Sequence, residues 1–112
     1  MQNSDSHIKI ENGLIVLLKD ESSEISIRVS EIKSIKVFKR DLITEDLICM
    51  EFTTENSIYE FNEEMKGWDD FLKLLPEVLT NCELVENWFP KVTQTPFETG
   101  EIEIFSSNKI AL

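Results

Sequence analysis

Few side chains in this sequence could do chemistry. His7 is the single histidine and sits at the edge of a polar N-terminal stretch, so it reads as a surface residue and makes a poorly placed general base. Cys49 falls inside an apparent strand and Cys82 follows a helical segment. Neither belongs to a CxxC pair or has a base at an activating spacing, and both read as reduced thiols. Acids recur in pairs, at Asp20 and Glu21, Glu45 and Asp46, Glu63 and Glu64, and Asp69 and Asp70. Clustered oxygens can hold calcium or magnesium, but none of these pairs follows the alternating spacing of a calcium loop. They are assigned to turns and helix starts, and no metal or other cofactor is expected. Lys33, Lys36, Lys39 and Arg40 form one basic cluster. Such a cluster could hold a phosphate, yet lysines on an exposed edge strand also oppose aggregation, and the edge-strand reading is preferred. With no catalytic, metal or nucleotide signature, no enzyme activity is expected.

Charge narrows the partners further. The 112 residues carry 22 acids against 11 bases, a net charge of −11 that repels phosphate backbones and anionic headgroups. Nucleic acid and membrane surfaces are therefore not expected partners. Residues 1–40 hold seven bases and six acids, whereas residues 41–112 hold four bases and sixteen acids. This asymmetry makes Asp41, Glu45, Asp46, Asp69, Asp70, Glu83 and Glu86 candidate contacts for a basic protein partner, with Trp88 as an aromatic anchor. An even spread of acids for solubility competes with this reading, and a tryptophan in a covering tail is also a natural core residue. The start, MQNSDSH, has neither the basic opening nor the apolar run of a secretory signal, and no stretch reaches membrane-spanning length. A cytoplasmic location is the expectation.

The element that must position these groups is GWDDFLKLLPEVL, Gly67 to Leu79. Trp68, Phe71, Leu72, Leu75 and Leu79 fall on one helical face, with Leu74 and Val78 widening the stripe. Asp69 and Asp70 suit a helix N-terminus, either Asn62 or Gly67 can cap it, and Pro76 predicts a kink or a break into two short helices. Six strands precede the helix. Ile8 and Ile10 alternate up to Asn12-Gly13, a two-residue hairpin signal. LIVLL, Leu14 to Leu18, does not alternate, so both its faces need cover, from the tail or from a second subunit. Ile25, Ile27 and Val29 mark a third strand, and Ser30 to Arg40 a turn and a bulged strand. LICMEF puts Ile48, Met50 and Phe52 on one face, and SIYEF groups Tyr59 with Phe61. After the helix, Glu83 to Phe89 suits a short helical piece before Pro90, and Trp88, Phe89, Val92 and Phe97 are packing groups. EIEIF, residues 101–105, reads as a last strand, in a tail expected to cover the second face of the sheet. The whole is read as one domain over 1–112: a polar tail over 1–6, an antiparallel sheet over 7–61, a capping helix over 63–79 and a covering tail over 80–112. The expected fold is α+β, a strongly bent antiparallel sheet or partly open barrel of six to seven strands capped by one amphipathic helix.

The Asn12-Gly13 hairpin, the phrase SEIKSIKVF and the closing helix, spanning roughly Ile8 to Leu79, resemble a bacterial pleckstrin-homology-like domain. The chain departs from that pattern in having six strands before the helix where seven are usual, and a long tail after it. The resemblance implies a ligand-, peptide- or protein-binding scaffold without catalysis. Some relatives bind phosphoinositides through a basic first-hairpin loop; here that loop is only Asn12 and Gly13, so no lipid-binding residues carry over. The functional expectation is a non-catalytic protein-binding module, an immunity-type or adaptor protein for a basic partner. One alternative is a small-molecule or lipid carrier whose cavity, between sheet and helix, is lined by Phe52, Phe61, Phe71 and Leu75. Another is self-association through LIVLL.

Overall fold

Strand β1 (His7–Glu11) turns through Asn12 and Gly13, with φ of 53° and 77°, into β2 (Leu14–Asp20). This is the hairpin that Asn-Gly predicts, because both central positions need positive φ. The computed structural model describes residues 6–20, 23–41, 46–93 and 101–107, with Asp20 and Asp41 described by their backbone alone. β3 (Ser23–Arg28) pairs antiparallel with the other side of β2, completing a three-stranded sheet in the order β1-β2-β3. Ile8, Ile15, Leu17 and Ile27 point into the core, and alternation sends the odd residues of β1 and the even residues of β2 and β3 outward.

A single 3-10 turn, Val29–Glu31, then redirects the chain into β4 (Ser34–Asp41), β5 (Asp46–Thr53) and β6 (Ile58–Asn62). The backbone on either side of the turn bonds to different sheets. Val29 N–H donates to the Gly13 carbonyl at 3.0 Å, and Lys33 N–H donates to the Thr53 carbonyl at 2.7 Å. β3 and β4 therefore do not pair. The expected single bent sheet of six to seven strands is instead two antiparallel sheets, of three and four strands, and among the described residues no barrel closes. The seventh strand, β7 (Ile102–Ser106), adds to the free side of β4, so the second sheet runs β6-β5-β4-β7. This corrects the reading of Lys33 to Arg40 as an edge. β4 is an interior strand because the tail returns to pair with it.

Helix α1 spans Trp68–Val78, not 63–79. The preceding residues are held otherwise: the Asn62 side-chain carbonyl accepts from Glu64 N–H at 2.9 Å, and Lys66 forms a parallel bridge with His7. Gly67, at φ 87°, is the N-cap, and Trp68, Phe71, Leu72 and Leu75 are the buried face. The helix runs unbroken through Pro76. That proline lies in the last turn, where its missing N–H costs one bond, to the Leu72 carbonyl. A second helix, α2 (Val85–Thr93), extends past Pro90 and buries Trp88 and Val92. Among the described residues of the tail, α2 and β7 pack against β4 and enlarge the four-stranded side of the core. Among the described residues, no helix is long and apolar enough to cross a membrane.

Candidate functional site

Strand register gathers acids that are far apart in sequence. β4 ends at Asp41, whose backbone is paired with Asp46 at the start of β5. Two residues along β5, Ile48 N–H donates to a Glu63 carboxylate oxygen at 2.9 Å, and Ile48 C=O accepts from Glu63 N–H at 3.1 Å. Glu63 and Glu64 thus sit beyond the end of β6 at the same end of the sheet. A shallow cleft of about 370 Å³, lined by Glu63, Met65, Gly67, Trp68, Asp69 and Asp70, joins this turn to the first turn of α1. The result is an acidic rim along one end of the four-stranded sheet.

The candidates fare differently against this rim. Asp46, Asp69 and Asp70 are exposed members of it, and Asp41 lies there by its backbone position. Glu45 lies outside the described residues. Glu83 and Glu86 belong to another place, where Glu83 N–H donates to the Ile104 carbonyl of β7 at 2.9 Å and Glu86 opens α2. Trp88 is no anchor for a partner: it is 2% exposed, packed in the core with Val92. Trp68, at 6%, is buried on the inward face of α1, as the helical stripe predicts. Glu63 and Glu64 were not among the candidates, and their only sequence signal is an acidic pair closing a strand antiparallel to one that opens at Asp46.

The rim is partly neutralised from beneath. Lys39 is 5% exposed, with Nζ 3.5 Å from the Asp46 carboxylate. Its neighbours in the basic cluster are also paired: Lys36 with Glu101 at 3.7 Å, and Arg40 with Glu60 at 2.7 Å while lying over the Phe38 ring. Lys33, the fourth member, is exposed and forms no ion pair among the described residues, so three of the four cations are neutralised by neighbouring acids. Asp69 and Asp70 form no ion pair among the described residues, and negative charge in a first helical turn is stabilised by the aligned peptide dipoles.

The proposed carrier cavity is filled by its own lining. Phe52, Phe61 and Phe71 are fully buried, with centroids 5.0 Å apart for Phe52–Phe61, 5.9 Å for Phe52–Phe71 and 6.3 Å for Phe61–Phe71. Leu75 is 1% exposed in the same cluster. These four side chains are core. An open cleft of about 500 Å³ lies elsewhere, at the C-terminal end of α1, between Gly13, Val29, Ile32, Val78, Leu79 and Phe105.

Both cysteines are buried free thiols. Burial pushes Cys49 up to about 11, against a smaller opposing pull from Arg40; burial, with a lesser push from Glu83, takes Cys82 up to about 12. His7 is on the other sheet from Cys49, so the pair forms no nucleophile–base unit. The raised values give stability that is complete below the unfolded thiol value of about 9 and is lost as pH climbs toward 11 to 12. The expected result is a urea midpoint that declines across that window. At about pH 8 both thiols should resist a thiol reagent in the native protein and react in denaturant; prompt native reaction of both would contradict their burial.

Among the described residues no group of His, Cys, Asp and Glu side chains could hold a metal ion. Compared with protein-family models, with curated proteins and with solved structures, the chain matches none.

Proposed function

We propose that this chain is a non-catalytic binding module whose acidic rim receives a basic protein partner, as an immunity-type or adaptor protein would. The observation that carries this reading is the grouping of Asp46, Glu63, Glu64, Asp69 and Asp70 at one end of the four-stranded sheet, with Asp69 and Asp70 in no ion pair among the described residues. A predominantly acidic rim, with Lys39 beneath it and Lys66 in its turn, on a molecule of net charge −11 speeds encounter with a basic surface and disfavours acidic ones. The test compares capture from native lysate by the wild-type protein and by the Glu64→Gln/Asp69→Asn/Asp70→Asn variant, at about 0.15 M and 0.5 M salt. One stoichiometric basic partner is expected, lost at the higher salt and weakened about tenfold or more by the three substitutions together. Capture indifferent to both salt and substitution would sink the electrostatic reading.

A carrier function is the second reading, moved from the phenylalanine cluster to the open cleft beside Val78, Leu79 and Phe105, whose lining mixes these apolar groups with Ser30, Thr80 and Ser107. Native mass spectrometry decides it: a co-purifying small molecule favours the carrier, and a clean apo mass disfavours it.

A further inference from the structure

We infer that the outer face of the three-stranded sheet is a self-association surface that takes a second copy of this chain face to face. The register defines that face as three rows: His7–Leu18–Glu24, Lys9–Val16–Ser26 and Glu11–Leu14–Arg28. Leu14, Val16 and Leu18 form an apolar stripe down its centre, outside the main core cluster; Leu14 and Leu18 are half-buried, and Val16, between them, is only 6% exposed, so the reachable apolar surface is that of the two leucines. Both helices lie on the opposite side, since their buried residues share one cluster with Ile15, Leu17 and Ile27. The flanking side chains of β1 and β3 are exposed, and Lys9 and Arg28 balance Glu11 and Glu24. On a chain of net charge −11 this is a neutral face, unsuited to the basic partner of the acidic rim.

Symmetry selects the occupant. A two-fold axis running along β2, between two stacked faces about 10 Å apart, lays β1 of each copy over β3 of the other. Row by row, Glu11 then meets Arg28 of the partner subunit, His7 meets Glu24 of the partner subunit, and Lys9 meets Ser26 of the partner subunit. The apolar stripe meets its own copy. No like charges face each other in this arrangement, whereas a two-fold axis across the strands would stack Lys9 on the partner subunit's Lys9. Three strands of five to seven residues present a face of only about 15 by 20 Å, well below the roughly 800 Å² per partner of a standard interface, so the dimer is weak and concentration-dependent.

Sedimentation of the full chain over about 10 µM to 1 mM tests this, with circular dichroism confirming the fold of each variant. A monomer–dimer equilibrium is expected in the wild type. Val16→Lys should abolish it, and Glu11→Arg should weaken it about two- to tenfold. The double variant Glu11→Arg/Arg28→Glu, which changes only exposed positions, should restore association to within about twofold of wild type. A monomer throughout the range, or a dimer indifferent to both the Val16 and the Glu11 change, overturns the proposal. Rescue by Glu24→Arg/Arg28→Glu and not by the Glu11 pair overturns this arrangement.

Discussion

Gly67→Ala is expected to lower stability by about 2–5 kcal/mol, a large fraction of the roughly 5–15 kcal/mol available to a domain. Two costs add at this position. Gly67 has φ 87°, in the left-handed region, where a Cβ costs about 1–2 kcal/mol. A Cβ there would also lie 2.4 Å from the Ile8 carbonyl oxygen, a distance that real structures do not tolerate. That oxygen cannot swing aside as a side chain would, because β1 is fixed by pairing with β2 and by the Ile8 N–H bond to the Lys66 carbonyl at 2.9 Å. Either β1 or the start of α1 must move, at about 1–3 kcal/mol by analogy with overpacking. Gly13→Ala is the matched control: φ is 77°, but nothing lies within 4 Å of the added atom, so the backbone cost alone applies. Urea denaturation of both variants separates the two contributions, and equal losses would show that the close approach to Ile8 has no cost.

The same glycine shows where sequence reasoning reaches and where it stops. Gly67 is legible as a candidate cap because it precedes a helical stripe, and Asn12-Gly13 is legible as a turn because both residues tolerate positive φ. Ile48, Met50 and Phe52 are legible as one buried face from alternation alone. Each of these signals is local. Pairing of β7 with β4 joins segments separated by most of the chain, and nothing in Glu101 to Phe105 announces its partner, so sequence alone puts the tail over a sheet face and leaves β4 as an edge. The division into two sheets has the same origin: it depends on which strand Val29 and Lys33 bond to, not on their propensities. The acidic rim is legible only in composition. Asp41 and Asp46 are backbone partners at the end of β4 and the start of β5, but their proximity to Glu63 follows from β5–β6 register, and the proximity of Glu63 to Asp69 follows from the abrupt turn at Gly67. Trp88 reads in sequence either as a partner anchor or as a core residue, and only the buried face of α2, which it shares with Val92, decides for the core.

Phe71→Ala is expected to cost about 3–5 kcal/mol, the largest effect of any single truncation considered. Phe71 is fully buried, and its ring lies 5.9 Å from Phe52, 6.3 Å from Phe61 and 6.1 Å from Trp68, so it connects α1 to β5 and β6. Its removal loses the transfer free energy of the ring and leaves a void beside the paired strands β5 and β6 that their fixed backbones fill only in part. Ile58→Ala, at a side chain 64% exposed on the edge strand β6, should change stability by less than about 0.5 kcal/mol and serves as the control. If Phe71 instead lined a cavity kept open for a ligand, the same truncation would enlarge an existing space and cost far less, so a loss under about 1.5 kcal/mol would revive the carrier reading at this position. The variant also bears on the acidic rim. Phe71 follows Asp70 directly, and its anchorage fixes the first turn of α1 against the sheet end where Glu63 sits. Phe71→Leu, which keeps most of the packing, should therefore leave capture of a basic partner nearly intact, while Asp69→Asn/Asp70→Asn should reduce capture with a stability loss of only about 1 kcal/mol, the helix-dipole contribution. Capture that follows stability across these variants, and not charge, would mean that the partner reads the integrity of the fold and not its carboxylates.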